Sequence, residues 1–193
     1  MRYVLASFLT LLVVSSAAAQ PPVTEPPSHN RLSAYFVGSF GGRFKARVDG
    51  LTGHVDARAG LGLGARYELL LGPSFSLLPT FEWLAFDLDG AVHRSHMLDF
   101  DLGLKFRKNV RAGRVNIEFY GMAPLGFSLA TGDGFDNAAT GFNTGALAGA
   151  MVFFKRKYGL FVEGGWRIHV VFDDGTRGML NQGVLHVGGA IAL

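Results

Sequence analysis

The stretch Tyr158–Val171, YGLFVEGGWRIHVV, decides the fold of this chain. Every second residue, Trp166 among them, is apolar or glycine, and the positions between include Glu163, Arg167 and His169. A period of two is typical of a β-strand whose two faces meet different surroundings. The stretch therefore predicts a strand with one apolar face and one face that carries an acid, a base and an imidazole.

The same alternation recurs along the chain and gives eight predicted strands. They cover about 32–41, 55–70, 75–87, 97–107, 114–128, 144–155, 158–171 and 183–193. The connections 41–54, 88–96, 129–143 and 172–182 are long, and those between them are short. Long loops at one end, tight turns at the other and an even number of strands are typical of transmembrane barrels. The predicted fold class is all-β, an eight-stranded antiparallel up-and-down transmembrane β-barrel over residues 32–193.

The amino end has the layout of an export signal. A basic start, Met1-Arg2, precedes an uncharged apolar run, Tyr3–Val14, and the small residues Ser15–Ala19. This order predicts a signal peptide over residues 1–19, cleaved after Ala19 at an A-x-A pattern. A short membrane anchor is the alternative, although a spanning helix needs about 20 residues. Residues 20–31 hold four prolines and predict an extended periplasmic tail.

The composition excludes several classes of site. The chain has no cysteine, so it has no disulfide, no zinc-thiolate site and no thiol nucleophile. Its formal net charge is +3 and its basic residues are spread along the sequence, so we predict no nucleic-acid partner. Hydrophobic residues make up 49% of the chain, which a barrel accommodates at alternate positions of many strands.

Charged residues on the polar face of the strands predict a filled lumen. An eight-stranded barrel is only wide enough inside to hold side chains. A buried charge costs on the order of several kcal/mol unless it is paired, so these residues are expected to form a salt-bridged plug, with a narrow ion path as the alternative. The predicted lumen residues are Arg58, Arg66, Glu68, Glu82, Asp99, Asp101, Lys105, Arg107, Glu118, Glu163, Arg167, His169 and His186.

The two inward histidines, His169 and His186, lie on neighbouring predicted strands. A metal site or a pH sensor is one interpretation of the pair. We interpret them instead as polar filling of the lumen. The loops with Asp-Gly turns do not fit the calcium-hand pattern, so we assign no metal ligand and no cofactor.

Aromatic residues on the apolar face cluster where the membrane interfaces are expected. Near the turns lie Tyr67, Phe75, Phe106 and Tyr158, and near the loops lie Phe40, Trp83, Phe127 and Phe172. Two such rows are expected where a barrel meets the lipid headgroups.

The signal peptide, the eight alternating segments and the terminal strand GVLHVGGAIAL, Gly183–Leu193, together resemble the OmpA-like family of eight-stranded outer-membrane β-barrels. The resemblance implies a bacterial outer-membrane location, contact with outer-membrane lipid and recognition by the barrel-assembly machinery. It also implies a non-enzymatic role in envelope integrity or surface interaction through the long loops. Members of the group usually end in an aromatic residue, whereas this chain ends in Leu193.

The first loop carries Arg43, Lys45 and Arg47, whose charges suit the phosphates of lipopolysaccharide. Two other functions stay open. The His93–His96 segment, HRSH, suggests an enzyme resembling the lipid A deacylase barrels, but no acid or oxyanion donor accompanies it, so no catalytic residue is assigned. A soluble lipocalin-like carrier would show the same alternation with the faces inverted, apolar inside and charged outside.

Overall fold

A computed structural model describes residues 30–48, 51–112, 115–133, 135, 138–154, 157–173 and 176–193. The predicted signal peptide and residues 20–29 of the predicted tail lie outside this range. Among the described residues, none form a helix of the length and hydropathy that crossing a membrane requires.

The described residues form one antiparallel sheet that closes on itself. Its strands are β1 (Arg31–Val48), β2 (Leu51–Ala57), β3 (Gly60–Leu70), β4 (Phe75–Phe86), β5 (Ser95–Ala112), β6 (Val115–Thr131), β7 (Ala139–Phe154), β8 (Tyr158–Asp173) and β9 (Thr176–Ala192). β1 pairs with both β2 and β3, each strand from β3 onward pairs with the next, and β1 pairs with β9 to close the sheet.

β2 and β3 are two parts of one barrel strand. Both pair with β1 in a continuous register, in which Gly42 faces Ala57 and Ser39 faces Gly60. The nine segments therefore make an eight-stranded barrel. The predicted fold class, an eight-stranded antiparallel up-and-down barrel, is confirmed.

The strands turn their apolar face outward and their polar face inward. On the outer face Phe36 and Leu61 are 70% and 72% exposed, whereas the inward Glu163 is only 1% exposed. A soluble carrier of an apolar ligand would require the opposite arrangement. The inverted, lipocalin-like interpretation is therefore wrong for this chain.

Several predicted loops are in fact the upper parts of long strands. β5 has 18 residues and β6 has 17, whereas about 9–11 suffice to cross a bilayer at a tilt. Most of the predicted loops 41–54 and 172–182 pair as hairpin arms. Polar and glycine residues there hide the alternation, although Phe44 and Leu180 in these segments still turn inward and are buried.

Residues 87–94, and the described residues 132, 133, 135 and 138, lie between strands and belong to none of them. We call the end of the barrel that carries them the loop end. The opposite end, with the β3–β4, β5–β6 and β7–β8 connections, is the turn end. Leu193 at this end donates its backbone N–H to Asn30, so the first and last described residues meet there.

A β-bulge interrupts β1 near the loop end. Phe40 faces Gly183 of β9, but the next pair is Arg43 with Asn181, so β1 contains one extra residue at this point. Gly41 has a φ of +63°, in the left-handed region that favours glycine.

The extra residue exchanges the two faces of β1. Below the bulge Ser39 is buried and Phe40 is exposed, whereas above it Phe44 is buried and Arg43 and Lys45 are exposed. Without the bulge, strict alternation would turn the two basic side chains inward. The bulge therefore puts an aromatic ring inside and the cations outside.

Apolar side chains close the interior at the loop end. We call this group the apolar cap: Phe44, Phe86, Leu88, Met97, Val171 and Leu180, all buried in one cluster. The sequence analysis did not foresee this cap, because Phe44, Leu88 and Leu180 lie in predicted loops and only charged residues and histidines were assigned to the lumen. The barrel interior is thus apolar near the loops, whereas below the cap buried apolar side chains such as Phe153, Phe161 and Leu78 alternate with buried charged ones.

Candidate functional site

Ionisable side chains fill the barrel below the apolar cap. None of them is more than 7% exposed. We call this set the buried network: Arg31, Arg66, Glu68, Glu82, Asp99, Asp101, Lys105, Arg107, Glu118, Glu163, Arg167, His169 and His186. Because burial without a partner is so costly for a charge, the pairing of these groups determines whether the lumen is stable. They fall into three groups along the barrel axis.

At the turn end, three cations share two carboxylates. Arg31 Nη1 lies 2.9 Å from Glu118 Oε2 and 3.3 Å from Glu68 Oε2. Lys105 Nζ bridges the same carboxylates, at 3.1 Å from Glu68 and 2.6 Å from Glu118. Arg107 pairs with Glu68 at 3.1 Å and donates to two backbone oxygens of the β3–β4 turn. This group ties the base of the barrel across its full width.

The middle group is centred on Glu163. Arg66 donates two hydrogen bonds to its carboxylate, at 2.6 and 3.0 Å. The Tyr120 hydroxyl donates at 2.6 Å and His186 Nδ1 donates at 2.7 Å. The Arg66 guanidinium also lies over the Tyr35 ring, 4.6 Å from its centre. Three strands besides β8 therefore fix one carboxylate.

The third group, nearest the apolar cap, surrounds Arg167. Its guanidinium donates to Glu82 at 3.1 Å, to Asp101 at 2.6 Å and to the side-chain oxygen of Asn143 at 2.7 Å. Asp99 lies 3.4 Å away and also accepts bonds from a serine of β6 and a histidine of β8, at 2.6 and 2.9 Å. One cation here offsets three carboxylates.

The charges are unevenly distributed along the axis. The buried network contains five arginine or lysine side chains and six carboxylates, and each imidazole donates to a carboxylate. Cations exceed carboxylates at the turn end, and carboxylates exceed cations around Arg167. The interior is thus nearly balanced as a whole, but positive toward the turn end and negative toward the loop end.

Inward glycines make room for this network. A Cβ atom at Gly64 would lie 2.2 Å from the Tyr35 ring, and one at Gly149 would lie 2.5 Å from the Cβ of Glu163. Neither position accepts a larger side chain without displacing a member of the network or its support. The glycine-rich character of the polar face therefore follows from the size of the side chains opposite.

Twelve of the thirteen residues predicted for the lumen lie inside the barrel. Arg58 is the exception, because its side chain is 69% exposed at the loop end and pairs with Asp89. The prediction for Arg58 assumed one unbroken strand over 55–70, whereas a two-residue break between β2 and β3 interrupts the alternation. Arg58 is therefore a surface residue.

Sequence reasoning missed Arg31, the residue placed last in the predicted tail. It opens β1 and is fully buried. The signal was present in the sequence, because Arg31 lies two residues before Ser33 and four before Tyr35, both inward. One further step of the alternation would have placed it in the lumen.

The residues of both predicted aromatic rows lie on the outer face. Tyr67 is half-buried, and the other seven are 37–56% exposed. Trp166, which the prediction did not include, is 46% exposed on the same face. Phe81 and Phe100 pair across two strands between the rows, with ring centres 5.2 Å apart. Aromatic side chains thus extend across the outer wall.

The His93–His96 segment does not assemble a nucleophile with a base. Ser95 is fully buried, and its hydroxyl donates to the backbone oxygen of Asp133 at 2.7 Å rather than to a histidine. His96 stacks on Trp83, with ring centres 5.9 Å apart. In the part of the chain that the structure describes, no group of three or more potential metal ligands occurs.

Asp133, which follows β6, is hydrogen-bonded to the 87–94 loop. Its carboxylate accepts the backbone N–H groups of Val92 and His93, both at 2.7 Å. These hydrogen bonds favour the charged form of Asp133 and so lower its pKa below the ordinary value, and the bond from His93 has the larger effect. Because the pKa is lowered, the stabilisation from these two hydrogen bonds is fully present above the ordinary pKa of aspartate. It is lost as the pH falls through the pKa of Asp133 in the folded protein.

We therefore expect the amide proton shifts of Val92 and His93 to titrate together, with a midpoint below that of an unperturbed aspartate. Nuclear magnetic resonance of the chain in detergent micelles measures this midpoint directly. In Asp133→Ala the same two amides should show no such step. A midpoint at or above the ordinary aspartate value would contradict these hydrogen bonds to Asp133.

Two cavities lie at the loop end. One, of about 490 Å³, lies between β2 and the 87–94 loop and is lined by Phe44, Val55, Leu88, Ala91 and Val92, among others. The other, of about 530 Å³, lies beside the β1 bulge. The second cavity is lined by Gly41, Gly42, Arg43, Lys45, Asp56, Ala57, Trp166, Met179 and Asn181.

The closed eight-stranded sheet, its apolar outer wall and its buried charged interior define a class of protein, the eight-stranded β-barrel of the outer-membrane type. The structure is similar to that of the outer membrane protein OprG from Pseudomonas aeruginosa, with a TM-score of 0.55 and 10% identity over 86% of this chain and 96% of OprG. At this identity the similarity shows the fold, and the resemblance to the OmpA-like barrels is confirmed at that level.

Two other solved barrels are similar at lower TM-scores. Neisserial surface protein A gives 0.45, with 13% identity over 85% of this chain and 97% of that chain. The attachment invasion locus protein Ail of Yersinia pestis gives 0.38, with 11% identity over 86% and 99%. No protein-family model matches the sequence, and no curated protein matches it.

Proposed function

We propose that this chain is a non-enzymatic protein of the bacterial outer membrane whose lumen is closed and whose loop end interacts with partners at the cell surface. The observation that carries the proposal is the buried network beneath the apolar cap. Salt-bridged side chains and apolar rings occupy the space that a solute would need. A role in envelope integrity would use the same anchored barrel.

The outer wall supports a membrane location. Large apolar side chains cover it on every barrel strand, including Leu32, Leu102, Leu125 and Leu160, each more than half exposed. A soluble protein rarely exposes a continuous apolar surface of this extent. The fold similarity to OprG, itself an outer membrane protein, agrees with this location.

The loop end supports a role in surface interaction. Its cavity of about 490 Å³, mainly apolar but also lined by His54, Asp89 and Asp133, falls in the range of about 300–1,000 Å³ that ligand sites usually occupy. Val92 at its rim is 85% exposed. An apolar recess at the far end of a closed barrel is suited to receive a group of a partner molecule.

Single-cysteine labelling tests the location and orientation, because the chain has no cysteine of its own. Val92→Cys at the loop end and Lys108→Cys near the turn end are both at exposed positions. On intact cells we expect a maleimide attached to a large polymer to label Val92→Cys and to leave Lys108→Cys unlabelled until the cells are lysed. A soluble product, or the reverse labelling pattern, would overturn the proposal.

Conductance tests the closed lumen. We expect the folded chain to shift in mobility between unboiled and boiled electrophoresis samples, and to leave a planar bilayer without a stable open channel. A persistent conductance from the heat-modifiable form would instead support the narrow ion path that the sequence left open.

A further inference from the structure

The structure assigns a phosphate-binding site to the outer wall of the barrel, in the cavity beside the β1 bulge, for the phosphate of a lipid in the leaflet at the loop end. This inference rests on the proposed membrane location. Its ligand class is a phosphorylated lipid headgroup, and its cationic residues are Arg43 and Lys45. The bulge at Gly41 creates the site, because it turns these two side chains outward.

Residues of four strands, β1, β2, β8 and β9, line the cavity. In the register of β1 with β9, Arg43 faces Asn181 and Lys45 faces Met179. Trp166 on β8 reaches the same place and donates its indole N–H to the Asn181 side-chain oxygen. That bond orients the amide of Asn181 and leaves its NH2 group to donate to a ligand.

The local charge favours an anion. Arg43 Nε lies 3.3 Å from Asp56 Oδ1, and both side chains are more than half exposed, so this ion pair is weak. Lys45 has no ion-pair partner among the described residues. Its ammonium group therefore adds a second positive charge to the cavity wall. Two cations against one carboxylate give the cavity a positive balance.

The position of the cavity points to a lipid. It begins immediately beyond Phe40, a member of the loop-side aromatic row, and Phe40 faces Gly183 on β9. Aromatic rows mark the membrane interfaces of such barrels, so Arg43 and Lys45 lie at the depth of lipid headgroups. Basic side chains at this depth attract anionic lipids, and a tryptophan at the rim contacts the upper part of the acyl chains.

Trp166 provides a direct readout. The chain has only two tryptophans, so Trp83→Phe leaves Trp166 as the single reporter. We would hold the full chain in dodecyl maltoside micelles, which contain no phosphate. Three probes would be added: diphosphorylated lipid A, the same lipid with both phosphates removed, and inorganic phosphate. We expect a saturable change in Trp166 emission with the phosphorylated lipid alone.

Charge variants test the assigned residues. Arg43→Gln with Lys45→Gln should weaken binding of the diphosphorylated lipid about thirtyfold, or about fivefold for each charge. Asp56→Asn should act in the opposite direction and strengthen binding, because it removes the one carboxylate of the cavity. Lys108→Gln with Lys157→Gln, at exposed positions near the turn end, makes the same charge change and should leave the affinity unaltered.

The heat-dependent mobility shift of each variant shows whether it is folded. A folded variant that does not bind the lipid therefore counts against the phosphate site and leaves the proposed membrane location unaffected. Equal binding of the dephosphorylated lipid would overturn the phosphate assignment. An equal response to inorganic phosphate would overturn the lipid assignment. Unchanged affinity in both the double glutamine variant and Asp56→Asn would show that the lipid binds elsewhere.

Discussion

Replacing Arg167 with methionine is expected to destabilise the barrel by about 3–5 kcal/mol, the usual cost of removing one partner from a buried ion pair. Arg167 is the one cation in contact with Glu82, Asp99 and Asp101 among the described residues. Its loss leaves three carboxylates in a closed space with no arginine or lysine. Urea unfolding of the chain in lipid vesicles, followed by tryptophan fluorescence, measures the change in free energy of unfolding.

Arg94→Met is the matched control. Arg94 lies 3.2 Å from Asp87, but its side chain is 61% exposed, and exposed pairs contribute about 0–1 kcal/mol. If Arg167→Met and Arg94→Met lower the free energy of unfolding equally, burial does not make the ion pairs of Arg167 more important for stability than an exposed pair.

A second substitution separates charge from packing. Asp101→Asn alone should destabilise the protein, because Asp101 accepts from Arg167 at 2.6 Å. In the Arg167→Met background the same change should restore part of the loss, because it removes an uncompensated carboxylate. A sign reversal of this kind in a double-mutant cycle shows direct coupling of the two residues. Additive losses would contradict the network as described.

Inserting one alanine between Gly42 and Arg43 is expected to abolish the packing of the β1–β2 hairpin on the loop end. The insertion shifts the alternation above the bulge by one residue, so it would turn Arg43 and Lys45 into the apolar cap and Phe44 out of it. Two unpaired cations in an apolar interior cost on the order of several kcal/mol each. We expect fast amide exchange in the hairpin and its rapid cleavage by trypsin, while the barrel below Phe40 keeps its heat-dependent mobility shift.

Insertion of one alanine after Gly53 is the control. Gly53 lies in β2, where the side chains on both faces from Thr52 to Asp56 are exposed, so a change of face there moves no charge into an apolar site. Protease sensitivity equal to that of the insertion after Gly42 would mean that hairpin length, rather than the exchange of faces, matters.

Two point substitutions isolate the backbone conformation at Gly41. With its φ of +63°, Gly41→Asn should be tolerated, whereas Gly41→Val should cost about 1–2 kcal/mol. Equal stability of the two variants would contradict this account of the bulge.

Alternation predicted the fold because membrane barrels impose it on every strand. It worked best where the strand is regular, as in the segment that places Asp99, Asp101, Lys105 and Arg107 inside. It failed at Arg58, because a strand break resets the faces without any obvious signal in the sequence. The bulge at Gly41 resets them again, and a pair of glycines was the only sign of it.

Which charges pair could not be predicted from the sequence. The partners are joined through the lumen rather than along a strand, and their contacts depend on the register of every strand between them. Arg31 reaches Glu118, for example, across the barrel from a strand four positions away in the sheet. The outer cavity was equally hidden, because it depends on the register shift between β1 and β9. Only its cations, Arg43 and Lys45, were noticed, as a basic loop.

The separation of these partners in sequence has a consequence for assembly. Arg66 and Glu163 are 97 residues apart, Arg31 and Glu118 are 87 apart, and Arg167 and Glu82 are 85 apart. Such long-range contacts form late and slow the folding of β proteins. In an unclosed sheet in the membrane these charged groups would lack their partners, which raises the free energy of a partly inserted chain. Partly inserted states are therefore disfavoured relative to both the closed barrel and the uninserted chain. We expect insertion to be cooperative and the inserted barrel to unfold slowly.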